Sequence, residues 1–122
     1  MSQTSKQFGD EGEELAAELL QNKSYEIVER NYRFGKGEID IIAKSPDKKF
    51  LIFVEVKSRK NLEFGEPEYA ITKNKMSQLR KIASAYIYEK EINEDVDFRF
   101  DVVAILFRQK QKPLIEHYEN AF

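Results

Sequence analysis

Apolar residues recur along this chain at two spacings, and the switches between them lay out the elements. Phe8, Leu15, Ala16, Leu19 and Leu20 recur at helical spacing and predict an amphipathic helix from Phe8 to about Lys23. Asp10, Glu11, Glu13 and Glu14 would crowd its first turns, where the helix dipole favours anions. Residues 1–7 are polar and expected to be flexible. Tyr25–Tyr32 predicts a strand with Tyr25, Ile27 and Glu29 on one face. Phe34-Gly35-Lys36-Gly37 predicts a turn whose glycines can supply positive φ. A second strand is expected over Glu38–Lys44, followed by a turn at Ser45-Pro46-Asp47-Lys48. Phe50–Ser58 is the most apolar strand and is therefore placed centrally in the sheet.

Asn61–Ile71, with Gly65 and Pro67, reads as an irregular loop. Thr72 is a predicted N-cap for a helix to about Lys90, with Met76, Leu79, Ile82, Ala83, Tyr86 and Ile87 along one face. Phe98–Phe107 predicts a fourth strand and Leu114–Tyr118 a short edge strand. The expected fold is a single α/β domain over residues 1–122, with an α-β-β-β-α-β core and a central mixed sheet flanked by helices.

Composition narrows the chemistry. The chain has no Cys, which removes disulfides, thiolate catalysis and iron–sulfur clusters. A single His, His117, excludes histidine-rich metal sites and is expected at the surface. No apolar run approaches a membrane span and the N-terminal stretch lacks a signal h-region, so a soluble, cytoplasmic protein is expected. Net charge is −2, which announces no nucleic-acid binder, but the charges are segregated. Lys57, Arg59, Lys60, Lys73, Lys75, Arg80 and Lys81 face only Glu63, Glu66 and Glu68 in their stretch, whereas residues 10–18 carry five acidic residues and no basic one.

Strand alternation picks out the candidate site. Glu38, Asp40 and Ile42 should share one face of the second strand, and Leu51, Phe53, Glu55 and Lys57 one face of the third. Counted outward from the turn at Asp47-Lys48, Asp40 and Glu55 can face one another across the hairpin. Two such carboxylates repel by about 3 kcal/mol at ~5 Å with an effective dielectric near ~20, so something must offset them. Lys57 is one candidate; a hard divalent cation with oxygen ligands is another. A cation beside a lysine on a rigid sheet suits phosphodiester hydrolysis. The same Glu-x-Lys pattern also suits a cross-strand ion pair on a solvated face.

The segments Gly37-Glu38-Ile39-Asp40 and Phe53-Val54-Glu55-Val56-Lys57-Ser58-Arg59 resemble the YraN family of small bacterial proteins. So do Gly12-Glu13-Glu14-Leu15-Ala16-Ala17, Glu29-Arg30-Asn31-Tyr32, Phe64-Gly65, Thr72 with Lys75, and Arg99-Phe100-Asp101-Val102-Val103, in the same order. That family is similar to the restriction-endonuclease-like superfamily and, within it, to archaeal Holliday-junction resolvases. The resemblance implies that Asp40, Glu55 and the Val56 carbonyl bind Mg²⁺ or Mn²⁺, that Lys57 is the catalytic lysine, and that Glu13 completes the site. Arg59, Lys73, Lys75 and Arg80 are the candidate contacts to the phosphate backbone, with Lys75 matching the family's lysine at the helix start.

The function expected is metal-dependent cleavage of DNA, with structured or branched DNA favoured by analogy. A homodimer would suit a four-way junction, using exposed apolar residues of the third strand or the C-terminal segment. Two other readings stay open: a non-catalytic nucleic-acid-binding protein on the same scaffold, and a protein-interaction module with acidic and basic ends.

Overall fold

In the computed structural model, which describes residues 5–60, 71–93 and 95–122 (backbone only for 5–8), these patterns resolve into two helices and five strands. They are α1 (Ser5–Asn22), β1 (Glu26–Phe34), β2 (Gly37–Lys44), β3 (Phe50–Arg59), α2 (Lys73–Glu89), β4 (Asp97–Leu106) and β5 (Leu114–Tyr118). The predicted loop at Asn61–Ile71, including Phe64-Gly65, lies outside the described residues except for Ile71.

The strands stand in sequence order, β1 to β5. Neighbours pair antiparallel except β3 with β4, which run parallel and are joined through α2. A parallel pair needs such a crossover, since a tight turn cannot reverse the chain twice. Being third of five, β3 is covered on both faces. Ile52 and Val54 pack with Ala16 and Leu20 of α1, while Leu51 and Phe53 pack with Leu79, Ile82, Ala83 and Tyr86 of α2. Its near-continuous apolar run follows from that position. Residues 51–54 are all under 4% exposed, so the apolar centre of β3 is closed to a second copy. That corrects one of the two dimer surfaces expected from sequence. β5 does lie at the sheet edge, beside β4.

Thr72 caps α2 as predicted, its hydroxyl accepting from the Lys75 N–H at 3.1 Å. The first helix differs from expectation. It begins at Ser5, so Ser5–Gln7 belong to the helix and no acidic residue lies in its first turn. Asp10 to Glu14 are therefore mid-helix, and the dipole does not account for them. In β1 the register shifts between Ile27 and Glu29, which breaks the alternation that put Tyr25, Ile27 and Glu29 on one face.

A buried polar cluster fastens the C-terminal segment. Asp101, fully buried on β4, takes two hydrogen bonds from the Arg99 guanidinium at 2.9 Å each and one from the Asn120 N–H at 3.0 Å. His117 Nε2 lies 2.7 Å from the same carboxylate. The His117 side chain is only 3% exposed, which corrects its expected surface position. Pairing of β5 with β4 sets His117 opposite Val103 and turns the ring inward over Asp101.

Candidate active site

The site is built where the sheet forks. Pairing of β2 with β3 runs from Lys44↔Leu51 to Ile41↔Val54 and stops. Beyond it β2 stays paired with β1 to the turn at Gly37, while β3 stays paired with β4 to Arg59. The next pair in register would be Asp40 with Glu55, the two carboxylates that the hairpin count set opposite each other. A fork strands backbone groups that a ladder would satisfy. The Asp40 side chain supplies one missing partner, its Oδ2 accepting from the Val56 N–H at 2.8 Å.

The fork also alters which way Asp40 faces. Ile39 and Ile42 pack in the α2 layer while Ile41 and Ala43 pack in the α1 layer, so strict alternation fails at Asp40. The predicted single face of Glu38, Asp40 and Ile42 is thus not kept. Asp40 instead stands between the layers. Carboxylate oxygens of Asp40, Glu38 and, from α1, Glu13 lie within 4.8 Å of one another. Glu55 is not one of that trio, but it lines the same cavity of about 330 Å³ with Glu13, Asp40, Val56, Lys57 and Ser58. Gly12 brings α1 in close, since a Cβ there would sit 1.9 Å from the Ser58 hydroxyl oxygen.

The carboxyls are strained electrostatically. Burial, with Asp40 and Glu38 nearby, pushes Glu13 up to about 7. Burial raises Asp40 to about 6 against the pull of the Val56 N–H. Burial and the Asp40 charge raise Glu55 to about 7, although Lys75 and Lys57 oppose it. Buried oxygens of Glu13 (Oε1) and Glu55 (Oε2) have no hydrogen-bond partner among the described residues. Crowded acidic oxygens left unpartnered could bind a metal ion.

The expected phosphate contacts are dispersed. Lys75 reaches the site, lining a second cavity of about 630 Å³ that shares Asp40 with the first. Lys73 is exposed on the first turn of α2, and Arg59 closes β3, its carbonyl accepting from the Phe107 N–H at 2.8 Å. Arg80 is turned aside, its guanidinium 6.0 Å from the ring centres of both Phe100 and Phe122. Arg33, Lys36 and Gln78, which are not among the expected phosphate contacts, line the larger cavity. The signal available was the basic turn Arg33–Lys36 directly preceding Glu38-Ile39-Asp40. Glu38 bonds Arg33 at 3.1 Å and also joins the carboxylate trio.

An α-β-β-β-α-β core bearing Glu55-x-Lys57 opposite an aspartate defines a restriction-endonuclease-like α/β domain. The chain belongs to the uncharacterised protein family UPF0102, the YraN family, whose pattern it matches over residues 12–105. It is 45% identical over 115 residues to a UPF0102 protein of Trichlorobacter lovleyi, covering 93% of this chain and 88% of that one. It is 44% identical over 121 residues to a UPF0102 protein of Geobacter sulfurreducens, covering 99% and 92%. Among solved structures, that of Pyrococcus furiosus SfsA in complex with Ca²⁺ is similar at 16% identity and a TM-score of 0.35. That match covers 86% of this chain and 58% of the SfsA chain, and at such a distance it carries no functional argument. No helix among the described residues is long and apolar enough to cross a membrane.

Proposed function

We propose that this protein is a metal-dependent nuclease that hydrolyses phosphodiester bonds of DNA at the fork between β2 and β3. One observation carries the reading: Glu13, Asp40, Glu55 and Lys57 converge on a single cavity in which two buried carboxylate oxygens lack partners. An ion pair on a solvated face does not fit, because Glu55 is 8% exposed and pushed up to about 7 rather than lowered.

Asp40 and Glu55, with the Val56 carbonyl, would hold Mg²⁺ or Mn²⁺, and Glu13 would close the site from α1. When bound, the cation would lower the pKa of a bound water and offset charge on the phosphate. The Val56 N–H fixes the rotamer of Asp40, so that carboxylate is set before substrate arrives. Lys57 brings a positive charge to the same cavity, where it can orient the attacking water and stabilise charge on the phosphoryl oxygens.

The test is cleavage of a labelled panel (four-way junction, flap, single strand, linear duplex) with Mg²⁺ or Mn²⁺, beside Asp40→Asn and Lys57→Ala proteins. Cutting by the wild type that needs metal and is lost in both variants is the expected result, and the preferred substrate names the class. Absence of both cutting and metal binding would overturn the reading.

A further inference from the structure

The larger cavity beside the fork is more than a continuation of the metal site. One wall is the β1–β2 turn, with Arg33 and Lys36, and the other is the first two turns of α2, with Lys75 and Gln78. Its floor ends at Glu38 and Asp40. Gly35 adopts a positive φ of 62° in that turn. Gly37 lets the turn press against α2, because a Cβ there would fall 2.5 Å from Ile82 Cδ1 and 2.9 Å from Gln78 Nε2. The turn and α2 thus meet directly at Gly37, where the groove closes.

Charge across the fork is one-sided. The groove wall brings three cations, Lys36, Lys75 and Arg33, the last of them 3.1 Å from the Glu38 carboxylate in the same groove. On the opposite side, α1 exposes Asp10, Glu11, Glu14 and Glu18 with no basic residue between Gly9 and Asn22, and the cation set beside them is Arg30 of β1, 3.0 Å from Glu14. A polyanion reaching Asp40 is attracted along one side and repelled along the other. A cavity of about 630 Å³ exceeds what a lone phosphate fills.

From this we infer that the groove between the β1–β2 turn and α2 is the track for one nucleic-acid strand, gripped through its phosphates by Arg33, Lys36 and Lys75 on a single side of the cleavage point. The inference rests on the nuclease reading and deepens it. The enzyme holds the strand on the groove side, and the strand on the α1 side leaves freely. Grip of this kind reads the backbone and not the bases, so affinity should be insensitive to sequence.

The test is anisotropy of short labelled oligonucleotides, single-stranded and duplex, titrated with the full chain in Ca²⁺ over a salt series. Wild type, Lys36→Ala, Lys36→Glu, Arg33→Gln and Lys49→Ala are compared. Lys49 is exposed in the β2–β3 turn, at the opposite end of the sheet. Lys36→Ala should weaken binding about five- to tenfold and lower the slope of log affinity against log salt by about 1. Lys36→Glu should weaken it further, Arg33→Gln should act like Lys36→Ala, and Lys49→Ala should match wild type. A mononucleotide at equal phosphate concentration should not displace the strand. If it does, the groove is a single-phosphate pocket and the track is wrong. Wild-type binding that ignores Lys36 and Arg33 would overturn the track and leave the nuclease reading standing. Failure of the wild type to bind any strand would overturn both.

Discussion

The Asp40 carboxylate accepts a hydrogen bond from the Val56 backbone N–H at 2.8 Å, across the point where their two strands part. One side chain thereby does two jobs. It satisfies a backbone donor that the ended ladder leaves behind, and it sets an acidic oxygen among Glu13, Glu38 and Glu55. Among the described residues Lys57 and Lys75 only partly offset the repulsion between these carboxylates, and a divalent cation is a charge that would relieve it.

Asp40→Asn should keep the fold, because an amide oxygen can still accept from Val56. The metal-dependent stabilisation should go. Thermal melts near neutral pH should rise with Mn²⁺ in the wild type, in line with a ligand that binds only the folded state, and stay flat in the variant. An equal rise in both proteins would remove Asp40 from the ligand set.

Stability of the metal-free protein should fall as pH rises from about 4 to about 7. Glu13, Asp40 and Glu55 are held near 7, 6 and 7 in the folded chain, above their ordinary values of 4.5, 3.8 and 4.5. The folded state therefore holds more protons than the unfolded state in that window, and raising pH favours unfolding. Glu55→Gln should flatten the curve and gain on the order of 2 kcal/mol at pH ~8. Urea midpoints at a series of pH values in chelator decide it; a curve that rises with pH would be the contrary result.

Gly12→Val should push α1 off β3. The new Cβ would meet Ser58, 1.9 Å from Oγ and 3.2 Å from Cβ, and the branched methyls would add to the clash. A loss of about 1–3 kcal/mol is expected, with weaker Mn²⁺ binding as Glu13 withdraws. Chemical denaturation and metal titration measure the two effects separately.

Asp101→Asn should destabilise the chain by about 3–5 kcal/mol by leaving Arg99 without its buried counter-charge. Burial alone would push Asp101 up, but hydrogen bonds from His117, Arg99 and the Asn120 N–H hold it below the ordinary range. Its contribution is thus present above the unfolded value of 3.8 and lost as pH falls through the folded one. The stability gap between wild type and Asp101→Asn should therefore narrow as pH falls below 3.8, and a denaturation midpoint unchanged at neutral pH would contradict the buried pair.

How much of this was legible in the chain can be said residue by residue. Local period and punctuation determined the elements: Thr72 as a cap, the span of β5, the central place of β3. Counting back from the β2–β3 turn put Asp40 opposite Glu55, because antiparallel register follows from turn position. The family motif was read from the same short segments. What only the tertiary structure decided is where the ladder stops. Alternation fails at Asp40 because β2 follows β1 while β3 follows β4, and neither partner is visible from the hairpin itself. The approach of α1 at Gly12, the turning of Arg80 onto Phe100 and Phe122, and the burial of His117 over Asp101 likewise depend on residues far apart in the chain. Periodicity reports which face of an element is apolar; what covers that face, and which charged groups meet there, is settled by packing between elements.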